Sequence, residues 1–300
     1  MMSDKKKKII MIVSLGIFLY GLFTYIGLTF TMYRMHKELD IDQMRRRPVN
    51  LKRKEPFSIL LLGIDTGDLG RTDTGRADSI VIVTINPKEN RTTMVSVPRD
   101  MYTKLANKKK TTKINEAYSY GGVSTLINTI QKKFDIPIDY YIQVNMQGLK
   151  EIVDSFGGVK VNNTLSFENY GYSFPKGKIK LNGDEALAYS TMRHQDPRGD
   201  YGRQERQRKI IEALIEKITS YRILFNQVGL YNSLGKNVQT SLEFNEIVTI
   251  QRKYNEALGN VEQVQVKGNG QMIGGKSFQI VSKGEIRETS ELLKEELHYK

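Results

Sequence analysis

The stretch that decides the fold is Phe57-Ser58-Ile59-Leu60-Leu61-Leu62-Gly63-Ile64-Asp65. It is a short, nearly continuous apolar run that ends abruptly in a carboxylate. A strand covered on both faces reads this way, because neither side alternates with water. Two further runs follow, Ser79–Ile85 and Thr93–Val97. Beyond them the period changes. Ile114–Tyr120 reads as helix, breaks at Gly121-Gly122 and resumes over Val123–Phe134. Asp139–Val144 reads as strand, Met146–Phe156 and Gly183–Ser190 as helices. Gln204–Tyr221 is a longer helix, with Ile210, Ile211, Leu214, Ile215 and Ile218 at helical spacing. Glu243–Leu258 and Glu285–Leu297 read as helices, Val261–Val266 and Phe278–Val281 as strands. Strands alternating with helices predict a layered α/β domain, a central mixed β-sheet flanked by helices. The expected domain covers residues 56–300.

Upstream the sequence has another character. Ile9–Met32 is an apolar run of 24 residues without Asp, Glu, Lys or Arg. At about 1.5 Å per residue it is roughly 36 Å long, enough for a transmembrane helix. Lys5–Lys8 precede it, so the positive-inside rule places residues 1–8 in the cytoplasm and the domain outside. The run is too long for the apolar core of a cleaved signal peptide, and no A-x-A-like site follows it. Residues 33–55 are polar, with Arg45-Arg46-Arg47-Pro48, and read as a stem with no core of its own.

The chain carries 46 Lys+Arg against 33 Asp+Glu, a net charge of +13. Residues 1–55 hold 12 basic and 5 acidic residues, so they account for +7 of it and the remaining 245 residues for +6. The domain is still mildly basic, which suits an anionic partner at a membrane surface. There is no Cys and there are three His. Thiol nucleophiles, disulfides, Cys-ligated zinc and His-rich metal sites are excluded. Chemistry must run on carboxylates, Arg, Lys and hydroxyls.

Two patterns attract attention and are set aside. Gly270 to Ser277 matches the P-loop string letter for letter, but the following Phe278–Val281 reads as strand where a phosphate-binding loop needs a helix. A hairpin is the reading taken. Asp65, Asp68, Asp73 and Asp78 crowd one loop without the EF-hand register. His194 reads as a polar residue of an Arg-rich loop rather than a general base.

The informative residues are acidic and basic groups at strand ends: Asp65, then Gly75-Arg76-Ala77-Asp78-Ser79, then Val97-Pro98-Arg99-Asp100. A denser cluster lies in MRHQDPRGDYGRQERQR, residues 192–208, which holds Arg193, Asp196, Arg198, Asp200, Arg203, Glu205, Arg206 and Arg208. Ligands of open α/β sheets bind at the carboxyl ends of strands. Guanidinium groups converging on two carboxylates suit a pyrophosphate bridged by a divalent cation, and magnesium takes one or two carboxylates plus phosphate oxygens.

The ordered motifs GID, GRADSI, VSVPRD, INEAYSYGG, LNGDEALAYS and RHQDPRGDYGRQERQ, spread over about residues 57–211, closely resemble the LytR–CpsA–Psr family. The resemblance implies a membrane-anchored phosphotransferase of a Gram-positive cell wall. Such an enzyme moves a glycopolymer, wall teichoic acid or capsular polysaccharide, from a polyprenyl pyrophosphate carrier to peptidoglycan. It further implies that Asp65 and Asp78 hold Mg2+. Arg76, Arg99, Arg193, Arg203 and Gln207, with Arg206 beside them, are implied to bind the pyrophosphate. Asp65, Arg76, Arg99 and Arg193 are the implied catalytic set; with no better-placed base in the sequence, one of Asp65 or Asp78 is read as the proton acceptor. Where the family often has Arg-x-Arg, this chain has Thr191-Met192-Arg193, which removes one phosphate contact. Alternatives are a polyprenyl pyrophosphate hydrolase using the same residues, and an envelope-linked transcription attenuator. No helix-turn-helix signature accompanies the basic clusters, and no nucleic-acid partner is expected.

Overall fold

The computed structural model describes residues 4–66, 75–219 and 234–299. A six-stranded mixed sheet forms the centre. It is built from β1 (Phe57–Ile64), β2 (Ala77–Asn86), β3 (Arg91–Ser96), β6 (Tyr140–Asn145), β11 (Val238–Thr240) and β12 (Val261–Gln265), in the order β11-β6-β1-β2-β3-β12. β1 pairs antiparallel with β2 and parallel with β6, and β3 pairs parallel with β12. The layered architecture expected from the sequence is therefore present.

The continuous apolar runs have the expected cause. On one face of the sheet, Leu60, Leu62 and Ile64 meet α2 (Glu116–Phe134) and α8 (Lys283–Leu297) through Ile127, Ile130 and Leu293. On the other, Phe57 and Ile59 pack with Leu51, Ile250 and Tyr254, the last two from α6 (Phe244–Lys253) and its C-cap. Alternate residues of β1 thus enter two different cores. Truncating a fully buried one such as Leu60 would cost about 2–5 kcal/mol.

A smaller lobe follows β6. α3 (Met146–Ser155) begins at an Asn145 cap whose side chain accepts from Gly148 N. The two-stranded pairs β7–β10 (Val159–Asn163, Gly177–Leu181) and β8–β9 (Phe167–Asn169, Tyr172–Phe174) come next. α4 (Gly183–Thr191) and α5 (Asp200–Thr219) close the lobe around Phe167, Phe174 and Tyr189. α4 starts with a full capping box between Asn182 and Glu185.

α2 bends where its sequence says it should, since Gly121 and Gly122 leave helical geometry and Gly122 has φ +65. The helix expected over Glu243–Leu258 is two helices, α6 and α7 (Asn255–Leu258), interrupted at Tyr254, whose hydroxyl turns to Leu51 O and Glu55 O. The P-loop string forms the turn between β13 (Asn269–Ile273) and β14 (Lys276–Ile280), with Gly274 and Gly275 both at positive φ. That is the geometry of a two-residue hairpin.

Residues 36–55 lie along the domain. Arg45 forks onto Asp139 at 2.6 and 3.0 Å, Gln131 Nε2 donates to Asp42 O, and Leu51 is buried. The segment borrows the domain's cores rather than forming its own. α1 (Asp4–Met35) contains the expected span Ile9–Met32. Among the described residues no helix is long and apolar enough to cross a membrane, and many α1 side chains lie outside them. The last turn of α1 packs Met35 on Ile152 and Val238.

Candidate active site

The site is assembled where β1 ends and β2 begins. Asp65 N donates to Arg76 O at 3.1 Å, and Arg76 N donates to Asp65 Oδ1 at 2.5 Å. This reciprocal clasp fixes a carboxylate that is only 6% exposed. Gly75 makes it feasible. Its φ is +70, and a Cβ there would lie 2.4 Å from Thr66 Cγ2 and 3.1 Å from Asp65 Oδ1. No other residue type fits so close to the carboxylate.

Asp78, one residue past the paired Ile64↔Ala77 position, sits beside this clasp. Its Oδ2 accepts from Arg99 Nη1 at 2.5 Å, and its Oδ1 from Asn115 Nδ2 at 3.4 Å. Arg203, from the start of α5, donates to Asp78 O at 3.2 Å and pairs with Asp200 at 2.8 Å. Arg99 Nε stands 3.6 Å from Asp200 and 4.0 Å from Asp100, which Lys113 neutralises at 2.7 Å. Asp78, Arg99, Asn115, Asp200 and Arg203 therefore form one network drawn from four elements.

Charge in this network is held tightly. Burial opposes the charge on Arg99, but Asp78, Asp200 and Asp100 outweigh it and raise its pKa above the ordinary arginine value. Arg203 goes the other way: burial, with Arg99 and Arg193 close by, lowers its pKa despite Asp200 and Asp78. The Nε–H groups of Arg99 and Arg203 are buried without a hydrogen bond, and so is Asn115 Oδ1. A buried donor without an acceptor costs about 1–3 kcal/mol. Asp200 Oδ1, 3.6 Å from Arg99 Nε, is likewise buried without a hydrogen bond, so donors and an acceptor of this network are all left incompletely satisfied.

The other expected residues sort clearly. Arg76 is exposed beside the Asp65 clasp, and its guanidinium has no acid partner among the described residues. Arg193 is exposed next to His194, at 3.4 Å, and is close enough to Arg203 to depress its pKa. Gln207 is half-buried one helical turn beyond Arg203. Arg206 is not brought to the network. It is 2% exposed, bound to Asp196 at 2.6 Å and to Met192 O, and stacked over Phe167 at 5.2 Å. Gly202 makes room for it, since a Cβ there would lie 1.8 Å from Asp196 Oδ2. Arg206 ties the 192–199 loop under α5. Thr191 turns to Leu187 O, Ala188 O and Asn169, so no side chain replaces the absent Arg. Asp68 and Asp73 lie outside the described residues.

Two members of the network were given no role by the sequence. Asn115 stood inside the INEAYSYGG motif, and Asp200 inside the dense cluster. The signal for Asp200 is its i, i+3 spacing from Arg203 at a helix start.

Among the described residues no group of three or more His, Asp or Glu is poised to hold a metal. The donors present, Asp65, Asp78 and the unpartnered Asn115 Oδ1, are hard oxygens. They suit a magnesium ion completed by phosphate oxygens better than a closed protein cage.

A layered α/β domain with an Arg-rich cluster of buried, incompletely hydrogen-bonded groups at its strand ends defines a phosphate-handling class of protein. The chain belongs to the LytR_cpsA_psr family, whose model matches residues 22–295. It is 42% identical, over 99% of its length and 100% of the relative's, to a protein of Enterococcus faecalis (strain ATCC 700802 / V583). That relative is named polyisoprenyl-teichoic acid–peptidoglycan teichoic acid transferase TagU. The crystal structure of B. subtilis TagU superposes with TM-score 0.67 at 38% identity, covering 82% of this chain and 99% of that one. A structure described as TagT bound to LIIa-WTA gives TM-score 0.74 at 27% identity, covering 88% and 100%.

Proposed function

We propose that the chain is a transferase that moves a teichoic-acid-type glycopolymer from a polyprenyl pyrophosphate carrier to peptidoglycan. The observation that carries this reading is the gathering of Arg99 and Arg203, each with a buried Nε–H that makes no hydrogen bond, around Asp78 and Asp200 at the strand ends. Arg193 stands near Arg203, and neither it nor Arg76 has an acid partner among the described residues. The names of the relatives supply the substrate class.

In the reaction, an acceptor sugar hydroxyl attacks the phosphorus that bears the glycopolymer. The new P–O bond forms as the bond to the polyprenyl phosphate oxygen breaks. Asp65 or Asp78 takes the hydroxyl proton. Arg99 and Arg203 hold the bridging and leaving oxygens, whose negative charge grows as that bond breaks, and Arg76 and Arg193 close over the outer oxygens. Asp65, Asp78 and Asn115 would hold a Mg2+ ion, which would supply further neutralisation of the diphosphate.

The proposal includes a membrane anchor at residues 9–32, with the domain on the extracytoplasmic side. Its support is the uncharged apolar run and the seating of α1. Met35 packs on Val238, which pairs with Val144 at the carboxyl end of β6, and Asn145 beside it is level with Ile64. The anchor therefore ends on the same end of the sheet as Asp65, where a lipid-borne headgroup would arrive.

The test is transfer of a labelled lipid-linked teichoic acid precursor to peptidoglycan by the full chain in nanodiscs with magnesium. Labelled peptidoglycan is the expected product. Free phosphoryl-glycan as the sole product would establish hydrolysis instead, and no turnover by folded protein would end the reading.

A further inference from the structure

A concavity of the described structure lies apart from the active site. It is a cavity of about 710 Å³ between the β4–β5 hairpin (Tyr102–Lys104, Thr111–Lys113) and the last turns of α2. That volume is in the range of ligand pockets. Its lining includes Lys104, Lys108, Lys109, Lys132 and Lys133, and no Asp or Glu.

These lysines are poorly compensated. Lys132 reaches Asp42 at 3.0 Å and Asn107 at 3.1 Å. Lys104, Lys108, Lys109 and Lys133 have no acid partner among the described residues. Lys133 is half-buried, and burial lowers its pKa with nothing to oppose it. Like charges gathered around a concave surface repel one another, and an anion entering it removes that repulsion. The walls are well fixed, since Ala106 N donates to Thr129 Oγ1 at 3.0 Å and Tyr102 packs edge-on against Phe278 at 5.0 Å.

The cavity is also connected to the active site. β4 starts three residues after Arg99. Tyr102 pairs with Lys113 and Lys104 with Thr111, so Lys113 and Lys104 lie on one face of the hairpin. Lys113, bound to Asp100 at the network's edge, is the first cation of a row that continues through Lys104 into the cavity. Asn115 and Thr129 lie on the two segments of α2 on either side of its bend at Gly121-Gly122. α1 ends beside β11, by the carboxyl ends of the strands, whereas the cavity lies near the other end of α2.

We propose that this cavity binds the polyanionic part of the glycopolymer, a run of phosphodiester-linked polyol units, and so selects phosphate-containing polymers over neutral glycans. This inference rests on the transferase reading for its substrate but not for its test.

The experiment uses the full chain in nanodiscs of neutral lipid. The probes are a lipid-free glycerol-phosphate decamer and a neutral dextran of equal length, measured by fluorescence anisotropy. The wild type is expected to bind the phosphate decamer at least ten-fold more tightly than dextran, with affinity falling steeply as salt rises. A variant with Lys104→Gln, Lys108→Gln and Lys109→Gln, all exposed positions, is expected to lose at least ten-fold of that affinity with an unchanged melting temperature. It is also expected to transfer a lipid-linked precursor without polyol phosphates within two-fold of wild type, and to raise KM at least five-fold for the phosphate-bearing one. Equal binding of decamer and dextran, or unchanged affinity in the variant, would overturn the inference. So would a variant that loses only binding to anionic vesicles, which would assign the lysines to membrane lipid. If the wild type transfers neither precursor, the transferase reading fails, while the anisotropy arm still decides the cavity.

Discussion

Replacing Arg99 by Ala removes the group on which the network turns. Arg99 Nη1 contacts Asp78 at 2.5 Å, and its Nε faces Asp200 at 3.6 Å, with side-chain exposures of 15%, 20% and 24%. Removing one partner of a fully buried pair costs about 3–5 kcal/mol. Here both acids keep some solvent and Arg203 still serves them, so the loss reduces to about 1–3 kcal/mol. For a domain of this size that lowers the melting temperature by roughly 2–12 °C. The loss in transfer is expected to be larger. A donor aimed at developing charge contributes about 10²–10³ in rate. Arg99→Lys separates the two roles, because it keeps a cation near Asp78 but loses the planar fork. It is expected to melt within a few degrees of wild type and yet transfer polymer at least ten-fold more slowly. The assays are thermal unfolding by circular dichroism and initial rates of labelled polymer transfer. Transfer by Arg99→Ala within three-fold of wild type would remove Arg99 from the chemistry.

Gly75→Ala places a methyl group against Thr66 and Asp65 at φ +70. It is expected to destabilise by about 1–3 kcal/mol and to abolish transfer by displacing Asp65, measured by melting and by the same rate assay. Asp196→Ala leaves Arg206 buried and unpaired, so a loss of about 3–5 kcal/mol is expected. The doubly substituted Asp196→Leu, Arg206→Met protein should recover part of it in denaturant titrations. Glu55 has its pKa lowered to about 2 by Arg47 and by the Asn50 amide. A depressed carboxylate pKa stabilises above the unfolded value near 4.5 and ceases to as pH falls toward 2. Protection of residues 47–55, exchange taken relative to the intrinsic rate at each pH, should therefore fall between pH 4.5 and 2, and constant protection across that window would show that the latch contributes nothing.

The central strands were legible because their cause is local. β1, β2, β3 and β6 are buried on both faces, and a continuous apolar run states that directly. Gly121-Gly122 likewise announced the bend in α2. The pairs β7–β10 and β8–β9 escaped notice although Val159-Lys160-Val161 and Ile179-Lys180-Leu181 alternate cleanly. Each is short and covered on one face only, so its signal is half as strong. Of the site, the residue types and strand-end positions were legible, but their orientation was not. Arg203 and Arg206 are three apart on one helix, yet a few tens of degrees of helical phase, and the gap left by Gly202, send Arg206 to Asp196. Asn115 was invisible as a site residue, because its importance comes from a tertiary contact with Asp78, 37 residues away in the chain.

The way Asp78 is occupied has a thermodynamic consequence for the proposed reaction. Without substrate, Asp78 is clamped by Arg99 and touched by Asn115, so a cation must compete with a guanidinium for the same oxygen. A diphosphate offers Arg99 and Arg203 other acceptors, including partners for their idle Nε–H groups. Its arrival frees Asp78, and Asn115 then has its own unpartnered oxygen to offer. Magnesium and diphosphate should therefore bind cooperatively, and by reciprocity each should raise the affinity of the other by the same factor. Couplings of this kind are typically about 5–150-fold. Calorimetry of the full chain with magnesium, with and without a short-chain polyprenyl pyrophosphate, measures it. The Arg99→Ala protein provides the control, since it removes the shorter of the two guanidinium contacts to Asp78 Oδ2 and leaves Arg203 at 3.9 Å. In that variant magnesium alone should bind more tightly than to wild type, and the coupling should shrink. Equal magnesium affinity in the two proteins would mean that the Asp78–Arg99 pair does not gate the metal.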